Sequence, residues 1–95
     1  MYAMPRFRSH DEFGAVYRAV GARIARERAR RSLSQRELAA LTGTTQSAVA
    51  RLEGGSRAPR LDTLLRVANA LDCTLELELR PRTSLERRGS RGDDA

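Results

Sequence analysis

Residues 34–55 decide the fold of this chain, and they read SQRELAALTGTTQSAVARLEGG. Ser34 and Glu37 stand at the S-x-x-E spacing of a capping box, in which two side chains satisfy free backbone groups at a helix start. Gly43 predicts the end of that helix, because glycine adopts the left-handed conformation of a C-terminal cap without strain. Thr45 is placed to cap a following helix, which the closing glycine pair ends. The stretch therefore predicts two short helices joined by a tight turn.

The apolar positions of these two helices predict which faces turn inward. Leu38 and Leu41 are expected to face the core from the first helix, and Val49 and Leu52 from the second. The second helix then holds a polar start outward. That start consists of Thr44, Thr45, Gln46 and Ser47, with Arg51 one turn beyond Ser47 on the same face.

This arrangement predicts a helix-turn-helix that binds double-stranded DNA. In such a unit the first helix steadies the second, whose N-terminal end enters the major groove. Glutamine can pair with adenine there, and arginine with guanine, each through two hydrogen bonds. Gln46 and Arg51 fit these roles. Taken alone they also fit an ordinary polar surface, and the surrounding motif favours contact with DNA.

The flanking segments predict two further helices and a strand. A capping box at residues 9–12 begins a helix that runs to about residue 31, with Gly14 and Gly21 weakening it slightly. Its apolar face is expected at Phe13, Val16, Tyr17, Val20 and Ile24, and its arginines at 23, 26 and 30 are expected to stay in water. The next helix carries Asp62 in its first turn and apolar residues at Leu61, Leu64, Leu65, Ala68 and Leu71.

Residues 74–79 change period, because Leu75, Leu77 and Leu79 alternate strictly with polar residues. This pattern predicts a β-strand with one apolar face. No second strand pattern exists in the chain, and a lone strand leaves its backbone groups unpaired. We therefore expect the strand to pair with its copy in a homodimer, antiparallel more readily than parallel. Pro81 ends the pairing.

Composition narrows the class of partner. The formal charge is +6, and all 18 basic residues are arginines. Arginine suits phosphates and guanine edges, and GC-rich coding is the alternative explanation of this bias. Nucleic acid fits this charge best, although an anionic membrane or an acidic protein also attracts it. Aromatic residues make up only 4%, so the stacking platforms of single-strand and RNA binders are missing.

No constellation of catalytic or metal-binding residues is evident. His10 has no partner at ligand spacing, and Cys73, the only cysteine, is expected to pack at a helix end. We therefore expect no enzyme activity, no cofactor and no metal. The chain shows no signal peptide and no membrane-spanning run, which predicts a cytoplasmic protein that does not use a membrane.

The chain resembles the Cro/cI/Xre-type helix-turn-helix family over about residues 20–72. The similarity lies in SLSQRELA at 32–39, GTTQSAVARLEGG at 43–55, Pro59 and LDTLL at 61–65. It implies an all-α, lambda-repressor-like domain of four or five helices, to which we add the C-terminal strand that pairs across a homodimer. Residues 1–8 are expected to form a flexible basic arm, 9–80 the DNA-binding domain with its strand at 74–79, and 81–95 a disordered tail.

The resemblance also implies roles for individual residues. Gln35 is similar to a glutamine that contacts a phosphate and braces the recognition helix, and Arg28 and Glu53 to a partly buried ion pair. The DNA-binding set is expected to comprise Gln35, Thr44, Thr45, Gln46, Ser47, Arg51, Arg57 and Arg60. Two departures stand out: Glu27 replaces an apolar residue, which suggests a smaller core there, and Arg60 replaces a capping Ser or Thr, which adds a phosphate contact but weakens the helix start.

Residues 71–79 also resemble antitoxins of the HipB and HigA kind, which repress their own operon and bind a toxin. This implies a homodimeric repressor bound to an operator, with a cognate toxin as a further partner. Two alternatives remain: a toxin-sequestering protein with secondary DNA binding, and a stand-alone phage or host regulator.

Overall fold

A computed structural model describes residues 13–85, and the predicted arm at 1–8, the capping box at 9–12 and the tail beyond 85 lie outside them. The described chain contains four helices. They are α1 (Phe13–Arg30), α2 (Gln35–Thr42), α3 (Gln46–Gly54) and α4 (Leu61–Ala70). α3 packs against α1 and α2, and α2 also packs against α4. The predicted four-helix order is confirmed.

One apolar core joins all four helices. Its buried members are Ile24, Leu38, Ala39, Val49, Val67 and Leu71. Val20, Leu33, Leu52 and Leu64 pack around them with part of their surface exposed. Each helix contributes at least one of these buried residues. Removing any one helix would therefore expose apolar surface on the other three.

The prediction that Leu41 faces inward is wrong, because its side chain is 60% exposed. The buried residues of α2 are instead Leu38, Ala39 and Thr42. At 3.6 residues per turn, Leu41 lies about 105° around the axis from the centre of that face. Leu61 and Leu65 of α4 are also about half exposed, since the buried side of α4 is centred on Val67.

Gly21 does more than weaken α1, which is helical throughout Phe13–Arg30. A Cβ atom at this position would collide with the backbone carbonyl oxygens of Leu52 and Glu53. Gly21 therefore marks the point where α1 crosses the C-terminal end of α3. The absence of a side chain allows this close approach, which fixes α3 against the rest of the domain.

The C-terminal segment that follows α4 has no regular secondary structure over residues 73–80. Residues 74–79 pair with no strand among the described residues 13–85. Leu75 is half-buried against the domain, whereas Leu77 and Leu79 are 71% and 102% exposed. None of the helices in residues 13–85 is long and apolar enough to span a membrane.

Candidate DNA interface

The turn between α2 and α3 has the geometry that its sequence predicts. Ser34 Oγ accepts a hydrogen bond from the Glu37 amide at 3.0 Å, and Glu37 Oε1 accepts one from the Ser34 amide at 2.7 Å. Gly43 adopts φ 74° and ψ 32°, the left-handed region. Thr45 Oγ1 then accepts a hydrogen bond from the Ala48 amide at 3.1 Å and caps α3. These local bonds fix the angle at which α3 leaves α2.

The polar start of α3 lies on the outside of the domain. Val49 is 1% exposed and anchors the inner side of the helix. The opposite face carries the residues expected from sequence to meet DNA, namely Thr44, Thr45, Gln46, Ser47 and Arg51, and all five are exposed. Gln46, Ser47 and Arg51 lie on α3 and the two threonines immediately precede it, so a groove in a partner molecule can receive all five together.

Ala50 belongs to the same exposed face and was not singled out from the sequence. It adjoins Gln46 and Ser47 on the helix surface, because residues three and four apart are neighbours. Its methyl group leaves room for a close approach to α3. The helical spacing from Gln46 and Ser47 was the available signal.

An ion pair ties α3 to α1. Arg28 donates to both carboxylate oxygens of Glu53, from Nε at 2.6 Å and from Nη2 at 3.1 Å. Its Nη1 donates to the Leu33 carbonyl oxygen at 2.7 Å. The Glu53 side chain is 7% exposed, and its hydrogen bond raises the pKa of the Arg28 guanidinium above the usual value. Arg28 is therefore charged at every physiological pH and shields the Glu53 carboxylate.

Gln35 completes this junction from α2. Its Nε2 donates to Glu53 Oε1 at 2.9 Å. A side-chain amide has two N–H donors, so the contact with Glu53 leaves a second N–H for another acceptor. Glu53 thus connects α1, α2 and α3, and Gln35, the first residue of α2, braces α3.

Arg57 and Arg60 lie in the exposed loop between α3 and α4. Arg60 donates to both oxygens of Asp62, at 3.1 and 3.3 Å. Arg60 occupies the N-cap position of α4 and makes no side-chain cap hydrogen bond, as expected when it replaces Ser or Thr. The loop therefore presents two arginines to solvent, with one of them partly neutralised.

Glu27 differs from the expectation that its position marks only a smaller core. The residue is buried, and its carboxylate lies 2.8 Å from Arg31, 3.0 Å from Arg23 and 3.4 Å from Arg30. Arg23 and Arg30 therefore pair with a buried carboxylate, although the Arg30 side chain stays 63% exposed, as the helical pattern predicted. The hydrogen bond from Arg31, together with the charges of Arg30 and Arg23, lowers the pKa of Glu27 against the opposing effect of desolvation. The available signal was the spacing of these arginines, three or four residues from Glu27.

The helix-turn-helix family profile matches residues 24–77. That span covers more than half of the chain. The chain belongs to the helix-turn-helix family.

Two individual relatives agree with this membership. The chain is 47% identical over 60 residues to an uncharacterised HTH-type transcriptional regulator, y4dL, of Sinorhizobium fredii. That match covers 63% of this chain and only 29% of the much longer relative. Among solved structures, the helix-turn-helix domain is similar to the restriction-modification controller protein C.AhdI of Aeromonas hydrophila, with a TM-score of 0.64 and 37% identity over 68% of this chain and 93% of that one.

Proposed function

We propose that this protein is a sequence-specific, double-stranded DNA-binding transcriptional repressor that works as a homodimer. Its membership of the helix-turn-helix family supports DNA binding. The observation that carries the proposal is the polar face of α3, which is held outward by buried Val49 and oriented by the Gly43 turn.

In this proposal α3 enters the major groove. Gln46, Ser47 and Arg51 read base edges, and the small side chain of Ala50 lets the helix approach them. Phosphates at either end of α3 are contacted by four residues, Thr44, Thr45, Arg57 and Arg60. Gln35 donates to a phosphate the amide N–H that is not bonded to Glu53. Arginine–phosphate contacts supply most of the affinity, so binding falls steeply as salt concentration rises.

Two copies would place their recognition helices in successive major grooves, about 34 Å apart, on a near-palindromic operator. The exposed leucines of residues 74–79 support dimerisation through a paired strand. Sedimentation of the full chain tests this, since a monomer at micromolar concentration would contradict the paired strand.

Two arginine variants test base reading against phosphate contact. Arg51→Ala should lose about 1–3 kcal/mol of discrimination between the operator and a single-base variant of it. Arg57→Ala, the matched control, should weaken binding to both DNAs equally and reduce the salt slope by about one. Fluorescence anisotropy over a salt series measures both effects, and equal binding of the wild-type protein to operator and scrambled DNA would contradict the proposal.

For the biological role, we propose the antitoxin of a type II toxin–antitoxin operon, because residues 71–79 resemble such antitoxins. A toxin-sequestering protein with secondary DNA binding and a stand-alone phage or host regulator are the competing roles. Co-expression with the small reading frame next to this gene, followed by pull-down, tests the antitoxin role. The antitoxin role fails if the product of the neighbouring reading frame does not bind this protein.

A second candidate role follows from the likeness to C.AhdI, a restriction-modification controller protein. In that case the adjacent genes would encode a nuclease and a methyltransferase, and the protein would bind their promoter. A promoter–reporter assay with each neighbouring upstream region separates the two roles.

A further inference from the structure

An open groove lies between α1, α4 and the start of the C-terminal segment. Its volume is about 200 Å³. Apolar residues from both helices line most of it, namely Val20, Ile24, Leu64, Val67 and Ala68, while Cys73 and Leu75 form one edge. An apolar cavity of about 150 Å³ can hold benzene, so the groove has room for a leucine side chain.

Two leucines of the segment that borders the groove have no packing partner among the described residues 13–85. Leu75 reaches the groove edge, whereas Leu77 and Leu79 of the same chain stay exposed to solvent. In an extended strand these three side chains lie on one face, with Glu76 and Glu78 on the other. The segment therefore carries an apolar face that begins at the groove with Leu75 and continues away from it.

The charges of the two surfaces are complementary. Arg23 and Arg31 stand beside the groove, and their side chains stay 38% and 33% exposed while they pair with Glu27. Arg31 also contacts Cys73 Sγ at 3.5 Å. The leucine segment, in contrast, is acidic at Glu76 and Glu78. A second copy of this segment brings apolar side chains to an apolar floor, and its net negative charge complements the basic rim although its carboxylates lie on the opposite face of the strand.

We propose that Leu79 of a second copy fills the groove between α1 and α4. The proposal rests on the homodimer proposed above and specifies its register. In an antiparallel ribbon centred on Leu77, Leu79 of one copy lies directly opposite Leu75 of the other, and opposite side chains are neighbours on one face. Because Leu75 already lines the groove, Leu79 of the second copy, which is its cross-strand neighbour, lies in the groove as well.

This register has a consequence on the outer face of the ribbon. Glu76 lies opposite Glu78 of the second copy, twice in the dimer, and like charges directly opposite are destabilising. Glu78→Arg converts both repulsive pairs into attractive ones, and the dimer should become roughly 2- to 30-fold tighter. If the ribbon were centred one residue later, on position 78, the same substitution would replace a pair of carboxylates by a pair of arginines, both repulsive, and leave the dimer about as tight, which would overturn the proposed register.

Two leucine variants provide a matched comparison. Leu79→Asp should raise the dimer dissociation constant at least about tenfold, because it removes apolar burial in both copies. Leu85→Asp makes the same change at a residue that is likewise exposed, at 74%, but lies beyond the ribbon, and it should leave the constant unchanged. Neither side chain is buried in the described chain, so folding of the monomer is preserved. Equal effects of the two variants would overturn the proposal.

Mixed dimers decide whether the groove itself is filled. One copy is labelled at leucine and alanine methyl groups, the other is unlabelled, and intermolecular nuclear Overhauser effects are recorded on the full chain. Effects between Leu79 of one copy and Leu64 or Ala68 of the other are expected. A dimer that shows contacts between ribbon leucines only, or a chain that is monomeric, would overturn the inference.

DNA binding in the same samples separates this inference from the proposed function. Leu79→Asp should still distinguish an operator half-site from its single-base variant in an Arg51-dependent way, at lower affinity. If wild-type protein shows no such discrimination, the proposed function fails whatever occupies the groove. If discrimination is present and the Leu79 contacts are absent, only the inference about the groove fails.

Discussion

Glu53 and Glu27 both pair with arginine, but the partners of Glu53 are distant in the chain and those of Glu27 are its near neighbours. Glu53 receives hydrogen bonds from Arg28 and Gln35, which lie 25 and 18 residues away in the chain. Glu27 is surrounded by Arg23, Arg30 and Arg31 of its own helix and the turn that follows it. The first carboxylate therefore holds three helices together, and the second stabilises one helix end.

The difference concerns what each charge does for α3. Glu53 lies at the C-terminal end of α3, so its partners set the position of the whole helix relative to α1 and α2. Glu27 is one of the residues that line the groove between α1 and α4. We expect changes at Glu53 to disturb folding and the orientation of α3, and changes at Glu27 to be local.

The largest expected effect is that of Glu53→Gln. It leaves Arg28 as a largely buried charge without its counter-ion, and it should lower the free energy of unfolding by about 3–5 kcal/mol. Urea unfolding followed by circular dichroism measures the loss. Replacing both charges, as in Arg28→Met with Glu53→Leu, should recover part of it, since removing both partners costs less than stranding one. A single variant as stable as the wild type would show that the pair contributes nothing.

Two glycine variants of α1 probe the same junction without changing charge. Gly21→Ala places a Cβ against the carbonyl oxygens of Leu52 and Glu53, and such overpacking should cost about 1–3 kcal/mol. Gly14→Ala is the control: its Cβ would lie 3.1 Å from the guanidinium of Arg18, the movable end of a flexible side chain. Because alanine favours the helix, Gly14→Ala should gain about 0.5–1 kcal/mol. Opposite signs in thermal unfolding are expected, and equal shifts would refute the close crossing.

Features that depend on a few neighbouring residues could be predicted from the sequence. The Ser34–Glu37 box, the Gly43 stop and the Thr45 cap are each completed within four residues, so their residue types suffice. The outward position of Gln46, Ser47 and Arg51 also followed, because Val49 fixes the opposite side of a helix with a regular period.

Features that depend on how helices meet could not be predicted. Gly21 appeared to be a weak point of α1 because only the crossing of α1 over α3 reveals its use. Leu41 was assigned to the core from its apolarity, but it lies away from the face of α2 that packs against α3 and α4. Glu27 was treated as a gap in the core because a helical pattern of arginines indicates solvent unless a buried acid lies among them.

Gln35→Ala tests a single arm of the Glu53 junction. It removes one hydrogen bond to a charged acceptor and leaves the Arg28 pair intact, so the loss should be about 1.5 kcal/mol, smaller than that of Glu53→Gln. A double-mutant cycle with Glu53→Ala, which removes both acceptor oxygens, should give a coupling energy of similar size, because the two residues are in direct contact. Additive losses in urea unfolding would mean that Gln35 acts independently of Glu53.

The smallest expected effect is the acid response of Glu27. The arginines lower its pKa in the folded state below the ordinary value of 4.5, so the folded protein holds its proton less tightly than the unfolded chain. This contribution to stability is complete above about pH 4.5 and disappears as the pH falls through the lower folded-state value. Glu27→Gln removes the titrating group, and its melting temperature should therefore fall less on acidification than that of the wild type. Melting curves recorded from neutral pH downward measure the difference. Parallel curves for the two proteins would show that the arginines around Glu27 do not favour its charged form, and that the contrast with Glu53 lies in geometry alone.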